Sequence, residues 1–516
     1  MTLLTRPRRS SKTLLMSMTQ QFLDIEHAEE HRKLFEGLQV MDDPVAMAEQ
    51  GTRPVIFLTM KNLEWDTWDG MQKNIAWELS RLYNRFAFLR QEDMDDGLRA
   101  SYEALLVGKA TPETMGKAFQ LLCQLLEQHY GRKVVLLIDE YDAPIQHAWM
   151  HGYYKEAIGF FRNLYSIALK SNPALDFAIL TGVLRIAKES IFSGLNNLEV
   201  SSVSQGGFMD ACGYTKEEVT KLARDLGRED KLEELAEWYD GYNFRGKEIY
   251  NPWSVNNYFK QNCEAEPYWV NTSGNDIIRT MLAQADEERW GELRTLLTGG
   301  TIAAAIRDGV IYDDIGKNSK DIYTMLLQTG YLKAVGSVKL GSERLYELAI
   351  PNLEIRNLFQ SEIIDRVDES YGVVSFYKMG LAIQQGRADE FQRIFQGILR
   401  RAVSSHDAAD AESFYHGLML GCTLFYEADY RVLSNRESGD GRFDLAMLPK
   451  KPHLPGVIME FKTVKDEAAL EKATEDALHQ IDEKAYITEL EAAGTKAIWR
   501  YGVAFCKKHV LVKRGT

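Results

Sequence analysis

The sequence predicts an α/β protein: a parallel sheet with helices, then a mainly helical region, then a second α/β domain at the C-terminal end. Three stretches carry that prediction. Val134 to Pro144 reads Val-Val-Leu-Leu-Ile-Asp-Glu-Tyr-Asp-Ala-Pro, and five consecutive apolar residues, all β-branched or leucine, mark a strand buried on both faces of a parallel sheet. Thr2-Leu3-Leu4-Thr5, a basic loop and a helical stretch from Leu14 to about Ile25 form a strand–loop–helix unit. Near the other end, Tyr430 to Leu433, Arg442 to Leu448 and Val457 to Lys462 read as strands separated by a polar, glycine-bearing turn and a Pro-bearing loop. The expected regions are 1–205, 206–350 and 351–516.

At 516 residues, with 45% hydrophobic content, the chain has the length of roughly three domains and enough apolar sequence for ordinary cores. Cys123, Cys212, Cys263, Cys422 and Cys506 lie far apart with no paired spacing, which argues against a disulfide framework or a cysteine zinc site and fits a reducing cytoplasm. No apolar run reaches the roughly 20 residues that span a bilayer, and no export leader is read at the N-terminus. The expectation is a cytoplasmic protein away from membranes. A net charge of −14 disfavours indiscriminate coating of nucleic acid and leaves room for a local basic groove.

Taken in order, the chain places polar residues where ligands bind in open α/β sheets, at the carboxyl ends of the strands. Asp139 and Glu140 close the apolar strand in the Walker B pattern, in which the Asp holds Mg²⁺ and the Glu polarises the attacking water. The loop Arg6-Pro7-Arg8-Arg9-Ser10-Ser11-Lys12-Thr13 has the layout of a phosphate-binding loop. Its backbone, Arg9 and Ser11 included, would cradle phosphates while Lys12 reaches the outer ones and Thr13 holds Mg²⁺. Both glycines of the generic pattern are replaced: Arg6 stands at the first and Ser11 directly before the lysine. Glycine serves there through positive φ and close backbone approach, so the loop residues alone also fit a basic N-terminal tail. Val55 to Met60 predicts a second strand, Trp68 to about Glu127 a long helical region, Tyr153 to Lys170 a helix, and Asp176 to Thr181 a buried strand. Thr181 and Arg185 then stand where many ATPases sense the γ-phosphate, or else form a turn with a surface arginine.

The motifs together resemble a bacterial AAA-ATPase-like family commonly fused to a PD-(D/E)xK nuclease-like domain. The resemblance rests on Arg6-Pro7-Arg8-Arg9 with Lys12-Thr13, on Leu137-Ile138-Asp139-Glu140-Tyr141-Asp142-Ala143-Pro144, and on the run from Thr181-Gly182-Val183-Leu184-Arg185 to Gly194-Leu195-Asn196-Asn197. It continues through Trp238-Tyr239-Asp240-Gly241-Tyr242, Tyr250-Asn251-Pro252-Trp253-Ser254, Asn271-Thr272-Ser273-Gly274-Asn275 and Gln328-Thr329-Gly330-Tyr331-Leu332. It implies a P-loop ATPase sheet with a helical lid, ATP and Mg²⁺ as cofactors, and leaves room for a homo-oligomer. Where the family has Phe-Gly before the lysine this chain has Ser10-Ser11, and the several dozen residues usual ahead of the loop do not precede it. The expectation is weakened nucleotide binding. Between Gly206 and Ala349 many aromatics, Trp238, Tyr239, Tyr242, Tyr250, Trp253, Tyr258 and Trp269, are interleaved with acidic residues, which reads as core more than as a stacking platform for single strands.

In the C-terminal region an apolar helix over 411–425 carries Glu412. Asp444 and the Glu460/Lys462 pair follow on strands, where residues two apart share a face. Two acids and a lysine gathered in a hairpin are costly unless used, and such oxygen ligands suit Mg²⁺. The arrangement resembles the PD-(D/E)xK core. By that resemblance Asp444 and Glu460 are metal ligands, Lys462 is the catalytic lysine, Glu412 is a third carboxylate, and Gln480 and Tyr486 match residues that follow the lysine in some branches. Lys507, Lys508, Lys513 and Arg514 either meet phosphates or form a solvated end. The functional expectation is an ATP-binding protein with a Mg²⁺-dependent (or Mn²⁺-dependent) nuclease domain acting on DNA or RNA. The alternative is a regulatory or interaction protein that binds ATP without turnover and uses the nuclease fold as a docking surface.

Overall fold

Five parallel strands, β1 (Thr2–Thr5), β2 (Val55–Thr59), β3 (Val134–Asp139), β4 (Leu175–Gly182) and β5 (Glu199–Ser201), form one sheet in the order β2-β3-β4-β1-β5 in this computed structural model. Residues 171, 187–197, 270–277, 280–286, 308, 310–318, 341–342, 368–371, 403–411, 424–425, 427–428, 439–440, 485, 488–489, 492–493, 496 and 516 lie outside the described residues. The chain divides into one unit of Met1–Trp269 with Ala304–Tyr346, and another of Val270–Ala303 with Glu347–Thr516. Among the described residues no helix is long and apolar enough to cross a membrane.

In the first unit every residue of β3 is buried, the consequence of a strand with apolar side chains alternating to both covered faces. On one face Met16 of the helix Lys12–Leu23 packs with Val55, Val135 and Leu137. Because all five strands run parallel, Thr5, Thr59, Asp139 and Gly182 arrive at the same edge, with Thr59 opposite Asp139 and Thr5 opposite Gly182. The helical region expected over 68–127 is divided into Trp68–Arg85, Asp96–Leu106 and Ala118–Tyr130, besides short turns. Side chains of Asp95 and Thr111 accept the Leu98 and Thr114 N–H groups, and such caps start new helices. The mainly helical region also contains strands, of which the sequence marks only the end of one, at Tyr250. β6 (Tyr214–Thr215), β7 (Tyr242–Phe244) and β8 (Lys247–Tyr250) form a sheet in the order β6-β8-β7; β9 (Ile302–Ala305), β10 (Lys333–Leu340) and β11 (Glu343–Ala349) form another, β10-β11-β9. Arg245 and Gly246, at φ 53° and 93°, make the tight β7–β8 turn in the backbone region two-residue hairpins require.

The second unit holds a mixed sheet, β12 (Tyr430–Ser438), β13 (Gly441–Pro449), β14 (Gly456–Thr463), β15 (Ile498–Cys506) and β16 (His509–Arg514), in sequence order. Only β14 and β15 run parallel, joined through the helix Leu470–Glu483. A Cβ on Gly502 would meet Thr474 O at 2.3 Å, so this glycine lets the connecting helix lie close on β15. Tyr415, from the helix Glu412–Thr423, stacks on Phe505 with ring centroids 4.4 Å apart. The stretch Ser434–Gly441 is more strand than turn: β12 runs to Ser438 and pairs with β13 from Gly441. Backbone pairing overrides polar composition there because β12 is an edge strand.

Candidate functional sites

Three hydroxyls from three different chain segments converge on Asp139 at the edge of the parallel sheet. Thr181 Oγ1 donates to Oδ1 at 2.6 Å, while Thr13 Oγ1 and Thr59 Oγ1 donate to Oδ2 at 2.8 and 3.3 Å. Thr59 was not singled out from the sequence, yet a polar residue ending an apolar strand is the same signal that marked Thr181. Lys12 is buried, with Nζ 3.2 and 3.0 Å from the carbonyls of Arg6 and Pro7 and 3.5 Å from Glu140 Oε1. Among the described residues no acceptor takes the backbone N–H groups of Arg8 to Thr13, leaving a run of donors at a helix N-terminus, the arrangement that receives anions. Arg9 and Ser11 have φ of 62° and 68°. Ser11 therefore adopts the left-handed backbone a glycine would give, at about 1–2 kcal/mol of strain, and the loss of glycine does not remove the loop shape.

The surrounding residues hold this loop. Arg6 is fully buried and donates to the carbonyls of Thr5, Ser201 and Phe208 and to Ser201 Oγ, all within 2.7–2.9 Å; burial lowers its pKa to about 10. Its position as the first glycine of the generic loop is thus used for a tie between β1 and the segment after β5. Arg8 O accepts from Asn251 Nδ2 at 3.3 Å and Trp269 Nε1 at 3.1 Å, and the Arg9 guanidinium lies 4.5 Å over the Trp253 ring. Trp253 apart, the named aromatics of this region are buried or partly buried, as the core reading expects. Asp142, part of the quoted motif but given no role there, accepts the Val183 and Leu184 N–H groups at 3.0 and 2.7 Å and is pushed up to about 7, chiefly by burial and then by the Glu140 charge. It fixes the turn after β4. Arg185 is half-buried beside Tyr141 and does not join the Asp139 cluster.

In the second unit Asp444 lies on β13 and Glu460 and Lys462 on β14. Asp444 Oδ2 accepts the Phe461 N–H at 2.7 Å, which draws the carboxylate onto the neighbouring strand. Lys462 Nζ donates to Glu460 Oε1 at 3.2 Å and to Gln480 Oε1 at 2.6 Å; Gln480 Nε2 donates to Glu460 Oε1 and lies 3.2 Å from the Tyr486 hydroxyl. Gln480 and Tyr486 are therefore gathered with the acid–lysine pair. Glu460 is 3% exposed, and its Oε2 is buried without a hydrogen-bond partner. Burial, and next the Asp444 charge, push its pKa up to about 8. A carboxylate oxygen left bare in the interior is costly, and the donor set of two carboxylates with the open oxygen fits a hard divalent cation.

His416 is a further member that the sequence reading missed. Its Nδ1 lies 3.6 Å from Asp444 Oδ1 and 3.2 Å from Arg294 Nη1, and its Nε2 is 2.8 Å from Ser434 Oγ. Burial and the Arg294 charge bring its pKa down to about 3, so the ring is neutral, with Nδ1 accepting from the guanidinium and Nε2–H donating to Ser434. The only sequence signal was its position four residues after Glu412, on the same helix face. Glu412 opens the helix Glu412–Thr423, but its side chain, like residues 187–197 and 271–275 of the quoted motifs, lies outside the described residues. Of the basic end, Lys513 is bound to Glu471 and Glu475, and Arg514 lies 4.8 Å over Trp499.

Residues 1–192 match the family described as "Predicted AAA-ATPase", and residues 410–515 match the PD-(D/E)XK nuclease superfamily. The chain is similar, at 29% identity over 386 residues covering 73% of it and 70% of the relative, to an uncharacterised protein in the vnfD 5′ region of Azotobacter chroococcum mcd 1. No solved structure gives a significant match.

Proposed function

We propose, from an N-terminal part similar to AAA-ATPases and a C-terminal part similar to PD-(D/E)xK nucleases, that the protein binds ATP with Mg²⁺ and hydrolyses phosphodiester bonds of DNA or RNA at Asp444, Glu460 and Lys462. One observation carries the nuclease reading: Glu460 Oε2 is buried and unpartnered in the same cluster as Asp444 and Lys462. Asp444 and Glu460 would hold Mg²⁺ or Mn²⁺. When bound, the cation supplies positive charge that acidifies water and offsets charge developing on phosphate oxygens. Glu460 would hold the cation as its carboxylate, and Asp444 is kept in place by the Phe461 N–H. Gln480 orients Lys462 so that its ammonium can donate to a phosphate oxygen or to the attacking water. Incubation of the full chain with single- and double-stranded DNA and RNA in Mg²⁺ or Mn²⁺ tests this. Asp444→Ala and Lys462→Ala should each abolish cleavage, and undiminished cleavage in both overturns the assignment.

At the other site the donor run of Arg8–Thr13 would take phosphate oxygens, with Lys12 exchanging the Arg6 and Pro7 carbonyls for them. Thr13 and Asp139 would hold the Mg²⁺, and Glu140 would polarise water. Isothermal titration of ATP with Mg²⁺ should show binding, and no heat at millimolar nucleotide counts against it. A second reading, binding without turnover, is favoured by Glu140 itself, which sits at φ 54° and is paired to Lys12 instead of being free to act as a base. ATP hydrolysis measured with and without DNA separates the two.

A further inference from the structure

The loop after β2 and the helix Ala143–Met150 after β3 bring together three side chains outside both sites. His147 and His151, in His-Ala-Trp-Met-His, are four residues apart and share a helical face; their rings stack with centroids 4.0 Å apart and planes at 22°. His151 Nε2 lies 3.4 Å from Asp66 Oδ1, and one ligand atom from each of the three residues falls within 4.8 Å of the others. The imidazole nitrogens are sorted by the backbone. His151 Nδ1 is 2.9 Å from His147 O and must donate to that carbonyl, which leaves Nε2 with its lone pair. His147 hydrogen-bonds the Trp65 backbone, and because its Nε2 is buried with no partner, that bond belongs to Nδ1. Both rings thus hold the tautomer that ligating histidines take when a carbonyl accepts their second nitrogen.

We infer that Asp66, His147 and His151 bind a divalent transition ion of the zinc class through the two Nε2 atoms and one carboxylate oxygen, with a remaining position open to solvent. Two imidazoles with one carboxylate suit Zn²⁺ or Co²⁺ better than Mg²⁺ or Ca²⁺, which prefer oxygen ligands. A simple His151–Asp66 ion pair would leave the His147 Nε2, shielded on a half-buried side chain, without a partner, whereas a metal ion satisfies both nitrogens. The ligands are positioned independently of any ion. Trp65 O accepts from the Tyr153 hydroxyl, and Thr67 caps the following helix by accepting the Gly70 N–H at 3.3 Å, so the backbone is held on both sides of Asp66 while its carboxylate stays exposed. A bound ion would clamp the loop after β2 to the helix that begins directly after Asp139, Glu140 and Asp142.

The untagged full chain, stripped with a chelator, is titrated with ZnCl₂ by calorimetry and with CoCl₂ by visible absorption. The expected result is binding at micromolar or tighter concentration and cobalt d–d bands of a nitrogen–oxygen site. His147→Gln and His151→Gln should each weaken binding roughly tenfold or more, with circular dichroism unchanged, while Asp444→Ala leaves it intact. Absence of micromolar binding by the wild type overturns the inference, as does binding that survives both histidine variants or is lost only in Asp444→Ala.

Discussion

Glu460→Gln should stabilise the metal-free second unit while removing its chemistry, and the size of the gain should depend on pH. A glutamine keeps an acceptor for Lys462 but cannot ionise. In the wild type the Glu460 pKa is raised from 4.5 to about 8 by burial and the Asp444 charge. The folded state then holds a proton that the unfolded chain releases between those values. Stability contributed by this group is fully present below pH 4.5, is lost as pH rises, and levels off above about 8. At 1.36 kcal/mol per pH unit of difference, the proton-linked loss is under about 1 kcal/mol at pH 5 and about 4 kcal/mol at pH 8. The advantage of Glu460→Gln over wild type should therefore grow by about 3 kcal/mol across that range, roughly a hundredfold in local opening. Hydrogen exchange of the peptide containing Gly456–Thr463, measured in EDTA at matched pH for both proteins, reads this directly. Added Mg²⁺ should restore protection to wild type at pH 8 and do nothing for the variant. A gap between the two proteins that is constant from pH 5 to pH 8 refutes the reasoning.

Ser11 offers a backbone test. Ser11→Gly should change stability by less than about 1 kcal/mol, strain relief being offset by glycine's chain entropy, and should tighten ATP binding; Ser11→Val, β-branched at φ 68°, should abolish binding. Titration calorimetry checks both. Gly502→Ala puts a Cβ against Thr474 O and forces the helix Leu470–Glu483 away from β15 at roughly 1–3 kcal/mol. Because that helix carries Gln480, cleavage should fall even where the fold persists, as thermal melts beside nuclease assays would show. Lys12→Met should remove ATP binding without lowering DNA cleavage, seen by running both assays on one preparation.

The strongest local signals are legible in the amino-acid sequence. The apolar run at 134–138 predicts a doubly covered strand because it is too short for a buried helix and rich in β-branched residues, and β14 is likewise announced by Val457-Ile458-Met459. The short strands β6 and β7 were not legible, since two or three residues carry too little periodicity to separate from loop, whereas Tyr250-Asn251-Pro252 marks the end of β8 and the start of the next helix. His416, Asp142 and Thr59 were hidden for another reason. Each is an ordinary residue in its own segment, and acquires meaning only from a partner contributed by another part of the chain.

Sequence by itself determined the identity of the chemistry-bearing groups and their delivery to strand ends, because strand and helix periods are local properties of the backbone. Tertiary structure alone decided their electrostatic state. Whether Glu460 keeps its proton, whether Lys12 faces the loop carbonyls or Glu140, and which nitrogen of His147 is bare all depend on desolvation and on charges brought close from distant positions. Those are properties of the space around a side chain, and a linear string does not contain that space.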